Sequence, residues 1–280
     1  MTELVMPRPL QAIADLQTSC KICATRSPLF DVVDFHEDCH EANGRRMALS
    51  GIPVYYYRCP GCGFLFTRQF DDWDAIDFVR SGEFAENSAS NHDPAERRAR
   101  SDLALLEGWF GQELSGLRTL VLGNGRLGGF LRETGCLADV LIRTARGPEA
   151  PSEDFDRGYD VILGFDILEP AADPLDLMQR IDRLMAPDGL LLLWTRLSDG
   201  EDPGAKGIRQ RPLRYVSPRQ GQISIYNACS LALVLGTAGF RLAGVRQGVH
   251  FGIRAIPAFA QRLFQDQPGW DRSRALSELR

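Results

Sequence analysis

Three observations predict an α/β fold with a small module in front of it. From Leu117 onward, short apolar runs alternate with helical ones; the last two runs, FRLAGVR and GVHFGIR, are separated only around Gln247 and Gly248; and ahead of them four cysteines fall in two CxxC pairs. Strand and helix in alternation argue for a parallel sheet covered on both faces. The closing pair of runs argues for an antiparallel hairpin at the end of that sheet.

The first cysteine pair, SCKIC, holds Cys20 and Cys23, and the second, RCPGC, holds Cys59 and Cys62. Each CxxC sets two thiolates on one knuckle turn, and Zn²⁺ takes four such ligands in a tetrahedron, so the spacing predicts a zinc ribbon over residues 1–80. GIPVYYYRC has the β-branched and aromatic content of a strand leading into the second knuckle, where Gly61 and Gly63 supply flexible backbone. Between the pairs lies HEDCH, with His36, Cys39 and His40, one of which could enter a mixed site. Four reduced cysteines without a metal are the plain alternative. Four thiolates on one ion leave no open position for water, so the zinc is expected to be structural.

Residues 81–100 are polar and read as a linker, although Pro94 can open a helix whose apolar face is Leu103, Leu105, Leu106, Trp109 and Phe110. The main domain spans 101–255, with strands expected at TLVL, ADVLI, YDVILG and LLLLWT. Its clearest helix starts at Asp173 as N-cap with Pro174 behind it, and buries Leu177, Met178, Ile181, Leu184 and Met185. Residues 256–280 form a tail.

Charge and hydropathy exclude several roles. A formal net charge of -5 offers no general attraction to nucleic acid. The longest apolar runs fall far short of the ~20 residues that span a bilayer, and the N-terminus does not resemble a secretory signal, so neither a membrane nor export is expected. The expected location is the cytoplasm, where seven cysteines stay reduced.

The segment YDVILGFDILEPAADPLDLMQRIDRLMAPDGLLLL resembles the class I S-adenosylmethionine-dependent methyltransferases, running from a strand aspartate through a Leu-Glu-His turn to a Pro-Gly before the next strand. The resemblance covers about residues 100–254 and implies a Rossmann-like sheet. Asp160 matches the strand aspartate and Glu169 the Glu of Leu-Glu-His, while Pro170 stands where the family has His. Phe165, Asp166 and Ile167 match the strand end that lies beside the cofactor. A ribbon with two CxxC pairs ahead of such a domain is similar to the sugar- and polysaccharide-modifying type, which implies a sugar or other small-molecule acceptor.

In VLGNGRLGGFL, Gly123, Gly125 and Gly128 form a GxGxxG after a strand and opening a helix, so backbone N–H groups can approach a ligand, with Asn124 between the first two. The family places an acid two positions before its first glycine, where this chain has Val121. It places another at the end of the second strand to accept from the ribose hydroxyls, where this chain has Arg143, a side chain with no acceptor. An arginine there also fits an NADP 2′-phosphate, or simply solvent. The segment 144–158 is too short for the usual helix and third strand.

Methyl transfer needs a positioned acceptor and, for a hydroxyl or carbon acid, a base. The candidates on strand-end loops are Asp166, Glu169, Tyr215, Tyr226 and His250. Two readings stay open: an active methyltransferase, and a non-catalytic relative that keeps the fold for binding or assembly.

Overall fold

The structure is a computed structural model and describes residues 6, 8–13, 15–37, 48–73, 77–78, 81, 94–123, 125–141, 158–198, 216–246 and 248–265. Two sheets organise it.

The first begins as a four-stranded antiparallel ribbon of β1 (Gln17–Ser19), β2 (Arg26–Asp34), β3 (Pro53–Arg58) and β4 (Leu65–Phe66), paired in that order. Each CxxC turn joins two of these strands. In both, the first cysteine's amide is tied to a carbonyl five residues on: Cys20 to Thr25 at 2.9 Å and Cys59 to Phe64 at 2.9 Å. Both turns also reach a positive φ four residues after the first cysteine, at Ala24 (φ 59) and Gly63 (φ 73). An aromatic cluster of Phe35, Tyr56, Phe70, Trp73 and Phe78 fills one side of the ribbon. The Asp34 carboxylate accepts from the amides of His36, Ser50 and Gly51, which ties together the two ends of residues 38–47.

A helix, α1 (Pro94–Phe110), leads to the second sheet. That sheet contains β5 (Arg118–Leu122), β6 (Leu137–Leu141), β7 (Tyr159–Phe165), β8 (Met185–Trp194), β10 (Arg241–Arg246) and β11 (Val249–Ile253), in the order β10-β11-β8-β7-β5-β6. β5, β6, β7 and β8 are parallel, and β11 and β10 close the sheet antiparallel. This is the α/β, Rossmann-like arrangement with a C-terminal hairpin that the alternating runs predict. One face packs on α3 (Pro174–Leu184) and α4 (Ala228–Gly236) and the other on α1 and α2 (Gly125–Glu133). The parallel strands are covered on both sides, which is why they read as continuous apolar runs.

Local signals explain the helix ends. The Asp173 carboxylate accepts from the amides of Leu175 and Asp176, with Pro174 in the first turn, and Asn227 and Ser230 form a reciprocal capping box at α4. Met185 is a correction: it closes α3 and begins β8 instead of extending the helical stripe.

Three elements cross the divisions drawn from the sequence. α1 already occupies residues 94–100 of the linker stretch. In the tail, α5 (Gln261–Gln265) buries Leu263 and Phe264 in the core that α1 covers. And β9 (Ser224–Ile225), from the larger unit, pairs with β4 as the fifth strand of the ribbon sheet. The cysteines Cys20, Cys59 and Cys62 share one apolar cluster with Leu191, Tyr226 and Leu231, so ribbon and second sheet are packed as a continuous core. Among the described residues, no helix is long and apolar enough to cross a membrane.

Candidate functional site

The two knuckles bring Cys20, Cys23, Cys59 and Cys62 together, with all four sulfurs within 4.8 Å of one another. The Sγ separations are 3.7 Å for Cys20–Cys62, 3.4 Å for Cys23–Cys59 and 3.7 Å for Cys23–Cys62. Metal–sulfur bonds of ~2.3 Å in a tetrahedron set the sulfurs about 3.8 Å apart, so the thiols stand nearly where a tetrahedral ion requires them. Amides of Ile22 and Cys62 point at the sulfurs of Cys20 and Cys59, each at 3.4 Å. Burial raises the Cys20 thiol to about 11. Burial also acts against ionising Cys59, but the amides of Cys62 and Gly61 and the thiols of Cys23 and Cys62 outweigh it and bring that thiol down to about 6. His36 stands apart from this group, its Nδ1 at 2.8 Å from the Ala48 carbonyl, and Cys39 and His40 lie outside the described residues.

The second candidate site is the region at the carboxyl ends of β5 and β7. Gly123 follows β5 with φ 86, and a Cβ there would sit 2.3 Å from the Phe165 carbonyl oxygen and 3.2 Å from Ile167 Cγ2. Only glycine permits that approach. Gly125 opens α2, and Gly128 lets the helix lie on β6, since its Cβ would fall 2.0 Å from Val140 Cγ2. At the end of β7, Asp166 takes φ 49 and is ion-paired at 3.1 Å with Arg98 of α1. Arg126 of α2 lies 3.9 Å from Glu96, so the first half of α1 lies along both the loop helix and the strand end.

A family model for the methyltransferase domain matches residues 62–244, well over half of the chain. The chain belongs to that family. No curated protein matches it. Among solved structures it is similar to an S-adenosylmethionine-dependent methyltransferase from Aquifex aeolicus (16% identity, covering 64% of this chain and 98% of that one, TM-score 0.41). It is also similar to the 1,6-didemethyltoxoflavin-N1-methyltransferase of Burkholderia thailandensis (17%, 64% and 84%, TM-score 0.39). A third is the pyocyanin biosynthetic protein PhzM (17% identity, TM-score 0.39), where the chain spans 55% of that protein's length and 55% of its own. Overlays this loose assign nothing further to this chain.

Gly123, Asp166 and Ile167 lie at the ends of β5 and β7 and Gly125 at the start of α2; Asn124, Arg143 and Tyr215 lie outside the described residues, as do residues 144–157. The Phe165 ring is buried and stacked on Trp194 with centroids 4.0 Å apart, on the side of the sheet that α1 and α2 cover, and its backbone carbonyl meets the loop at Gly123. Asp160 is bound to the Arg118 amide at 2.9 Å, a strand-to-strand tie.

The base candidates Tyr226, His250 and Glu169 all make hydrogen bonds to neighbouring loops. Tyr226 is fully buried and its hydroxyl donates to the Leu168 carbonyl at 3.3 Å; burial, with the Glu169 charge behind it, pushes its pKa well above the usual phenol value. His250 is 1% exposed and its Nε2–H meets the Thr195 carbonyl at 2.9 Å. Glu169 accepts from the Thr195 hydroxyl at 2.5 Å, and its own carbonyl accepts from the amides of Ile223 and Ser224. All three hold loops together. Sequence reasoning missed Arg98 and Asp102, because the polar stretch before Leu103 carries no apolar period that would place them at a strand end.

Proposed function

We propose that this chain is a class I S-adenosylmethionine-dependent methyltransferase acting on a sugar or other small-molecule acceptor, with a structural zinc ion held by Cys20, Cys23, Cys59 and Cys62. The observation that carries the reading is Gly123: its positive φ and its close approach to the Phe165 carbonyl leave a cradle at the strand ends, inside the span that matches the family. The cofactor would lie along the Gly123 backbone and the amino end of α2, where the helix's first-turn N–H groups favour a polar ligand. When bound it supplies an electrophilic methyl group. Asp166, about half exposed, is the most open of the described candidates, and it is the side chain placed to accept a donor from the cofactor or a proton from the acceptor. Arg98 is ion-paired with that carboxylate at 3.1 Å. Four cysteinyl sulfurs near the tetrahedral spacing fit zinc held with no open coordination position, so the ion's contribution is folding.

The non-catalytic reading is favoured by one set of observations: Tyr226 and His250 are sealed in the core, the Glu169 carboxylate is engaged by Thr195, and Pro170 replaces the turn histidine. Calorimetric titration of the zinc-loaded protein with S-adenosylhomocysteine separates the two. Micromolar binding supports the enzyme; no heat at millimolar ligand abandons the cofactor site and leaves the binding role.

A further inference from the structure

Residues 222–227 bond on one side to the ribbon strand that follows the second cysteine knuckle and on the other to the turn at 168–171 that follows β7. On the ribbon side, Ser224 and Ile225 pair with Phe66 and Leu65, the Thr67 amide donates to the Ile223 carbonyl at 3.1 Å, and the Tyr226 ring lies 5.0 Å from that of Phe64, two residues after Cys62. On the other side, the Ser224 hydroxyl donates to the Ala171 carbonyl at 2.9 Å and the Tyr226 hydroxyl to that of Leu168 at 3.3 Å. The Ser198 amide, just past β8, donates to the Tyr226 carbonyl at 2.8 Å. The turn at 168–171 follows directly on Asp166 and Ile167, and Ile167 packs on Gly123.

We propose that metal occupancy of the cysteine cluster and ligand binding at the strand ends are coupled through residues 222–227, with Ser224 and Tyr226 as positioning residues. The fourth and fifth ribbon strands are two residues each, too short to hold themselves, so their order depends on the metal-closed knuckle next to Phe64. The 168–171 turn is in turn fixed by hydrogen bonds from this splint. Loss of the ion loosens the splint, the turn and then the strand end. By linkage, a ligand that orders the strand end tightens the metal site by the same factor.

Two measurements on the full chain test this, and only the first rests on the cofactor reading. In the first, S-adenosylhomocysteine affinity is measured by calorimetry with zinc bound and after chelation, and zinc affinity by competition with a chromogenic chelator with and without S-adenosylhomocysteine. Both are expected to change by one common factor between about 5 and 150. The Ser224→Ala/Tyr226→Phe double variant should bring that factor close to one while leaving zinc affinity in the absence of ligand unchanged. Tyr57→Phe, which loses a hydroxyl bonded to Asp15 elsewhere in the ribbon, should keep it. In the second, amide hydrogen exchange at 167–171 should slow on zinc addition, and should speed up in the zinc-loaded double variant.

Equal S-adenosylhomocysteine affinity in loaded and stripped protein overturns the proposal, as does a factor that survives the double variant. If neither form binds S-adenosylhomocysteine but zinc slows exchange at 167–171, the cofactor reading fails and the coupling stands. If stripping unfolds the whole chain, the zinc-loaded double variant decides: exchange at 167–171 equal to wild type rejects the coupling.

Discussion

Gly63 and Asn227 meet where the second cysteine knuckle abuts the amino end of α4: a Cβ on Gly63 would stand 2.1 Å from Asn227 Nδ2. Asn227 cannot easily move away, because its Oδ1 accepts from the Ser230 amide at 2.7 Å as the helix cap. Gly63 also has φ 73. Gly63→Ala therefore combines left-handed strain of about 1–2 kcal/mol with loss of a cap worth about 1 kcal/mol. Denaturant unfolding should show a loss of about 2–3 kcal/mol, and a change below about 0.5 kcal/mol would mean that knuckle and helix are not in contact.

Metal content gives a second expectation. The protein should purify with one zinc per chain when no chelator is used, and Cys59→Ser should lose it. Structural zinc carries about 10 kcal/mol of folding free energy in small modules, so chelation should lower the unfolding midpoint steeply. Cys136→Ser, at a buried cysteine outside the cluster, is the control and should keep the metal. Elemental analysis finding zinc in Cys59→Ser at the wild-type level would move the site elsewhere.

The cysteine cluster and the glycine loop were legible because their chemistry lies in short, fixed spacings: CxxC for a knuckle, glycine where backbone crowds backbone. Parallel strands announced themselves as apolar runs because both their faces are covered. What stayed hidden has a physical reason in each case. β9 is two residues long and has no period to read. Ala24 adopts φ 59 in the first knuckle without the glycine that marks the same position in the second. Tyr226, His250 and Glu169 have the right chemistry for a base, and only the structure shows that they also bond to neighbouring loops. Phe165 lies on the expected strand end, and the alternation of side chains along β7 sends its ring into the core that α1 and α2 cover.

Asp102 supplies a pH prediction. It is 8% exposed, its Oδ2 has no hydrogen-bond partner among the described residues, and the Trp194 indole bonds its carboxylate. Burial raises its pKa above the ordinary 3.8, against the lowering effect of Arg98. Between the ordinary value and the raised one, the native state holds a proton that the unfolded chain has lost, so stability falls as pH rises through that window. Asp102→Asn keeps an oxygen for the Trp194 indole and removes the titration. The variant should therefore gain on the wild type as pH rises from about 4 towards the raised value, measured as the difference between their denaturation midpoints. A gap that stays constant with pH would show that Asp102 ionises normally.

The two loop glycines should fail for different reasons, and the difference tests whether the loop serves a ligand. A Cβ on Gly128 meets the end of a half-buried side chain, Val140 Cγ2 at 2.0 Å, with no unusual φ. Gly128→Ala should cost about 1–3 kcal/mol through overpacking, and adding Val140→Ala should recover most of it. A Cβ on Gly123 meets a backbone carbonyl, Phe165 O at 2.3 Å, with φ 86, and no side-chain truncation clears that obstacle. Gly123→Ala should therefore displace the strand end itself and weaken S-adenosylhomocysteine binding at least about tenfold, or ~1.4 kcal/mol. The Gly128→Ala/Val140→Ala pair, with the helix returned to its seat, should bind as the wild type does. If Gly123→Ala binds equally well, the ligand does not lie on this loop, since a carbonyl moved by that much would carry Ile167 and the cradle with it.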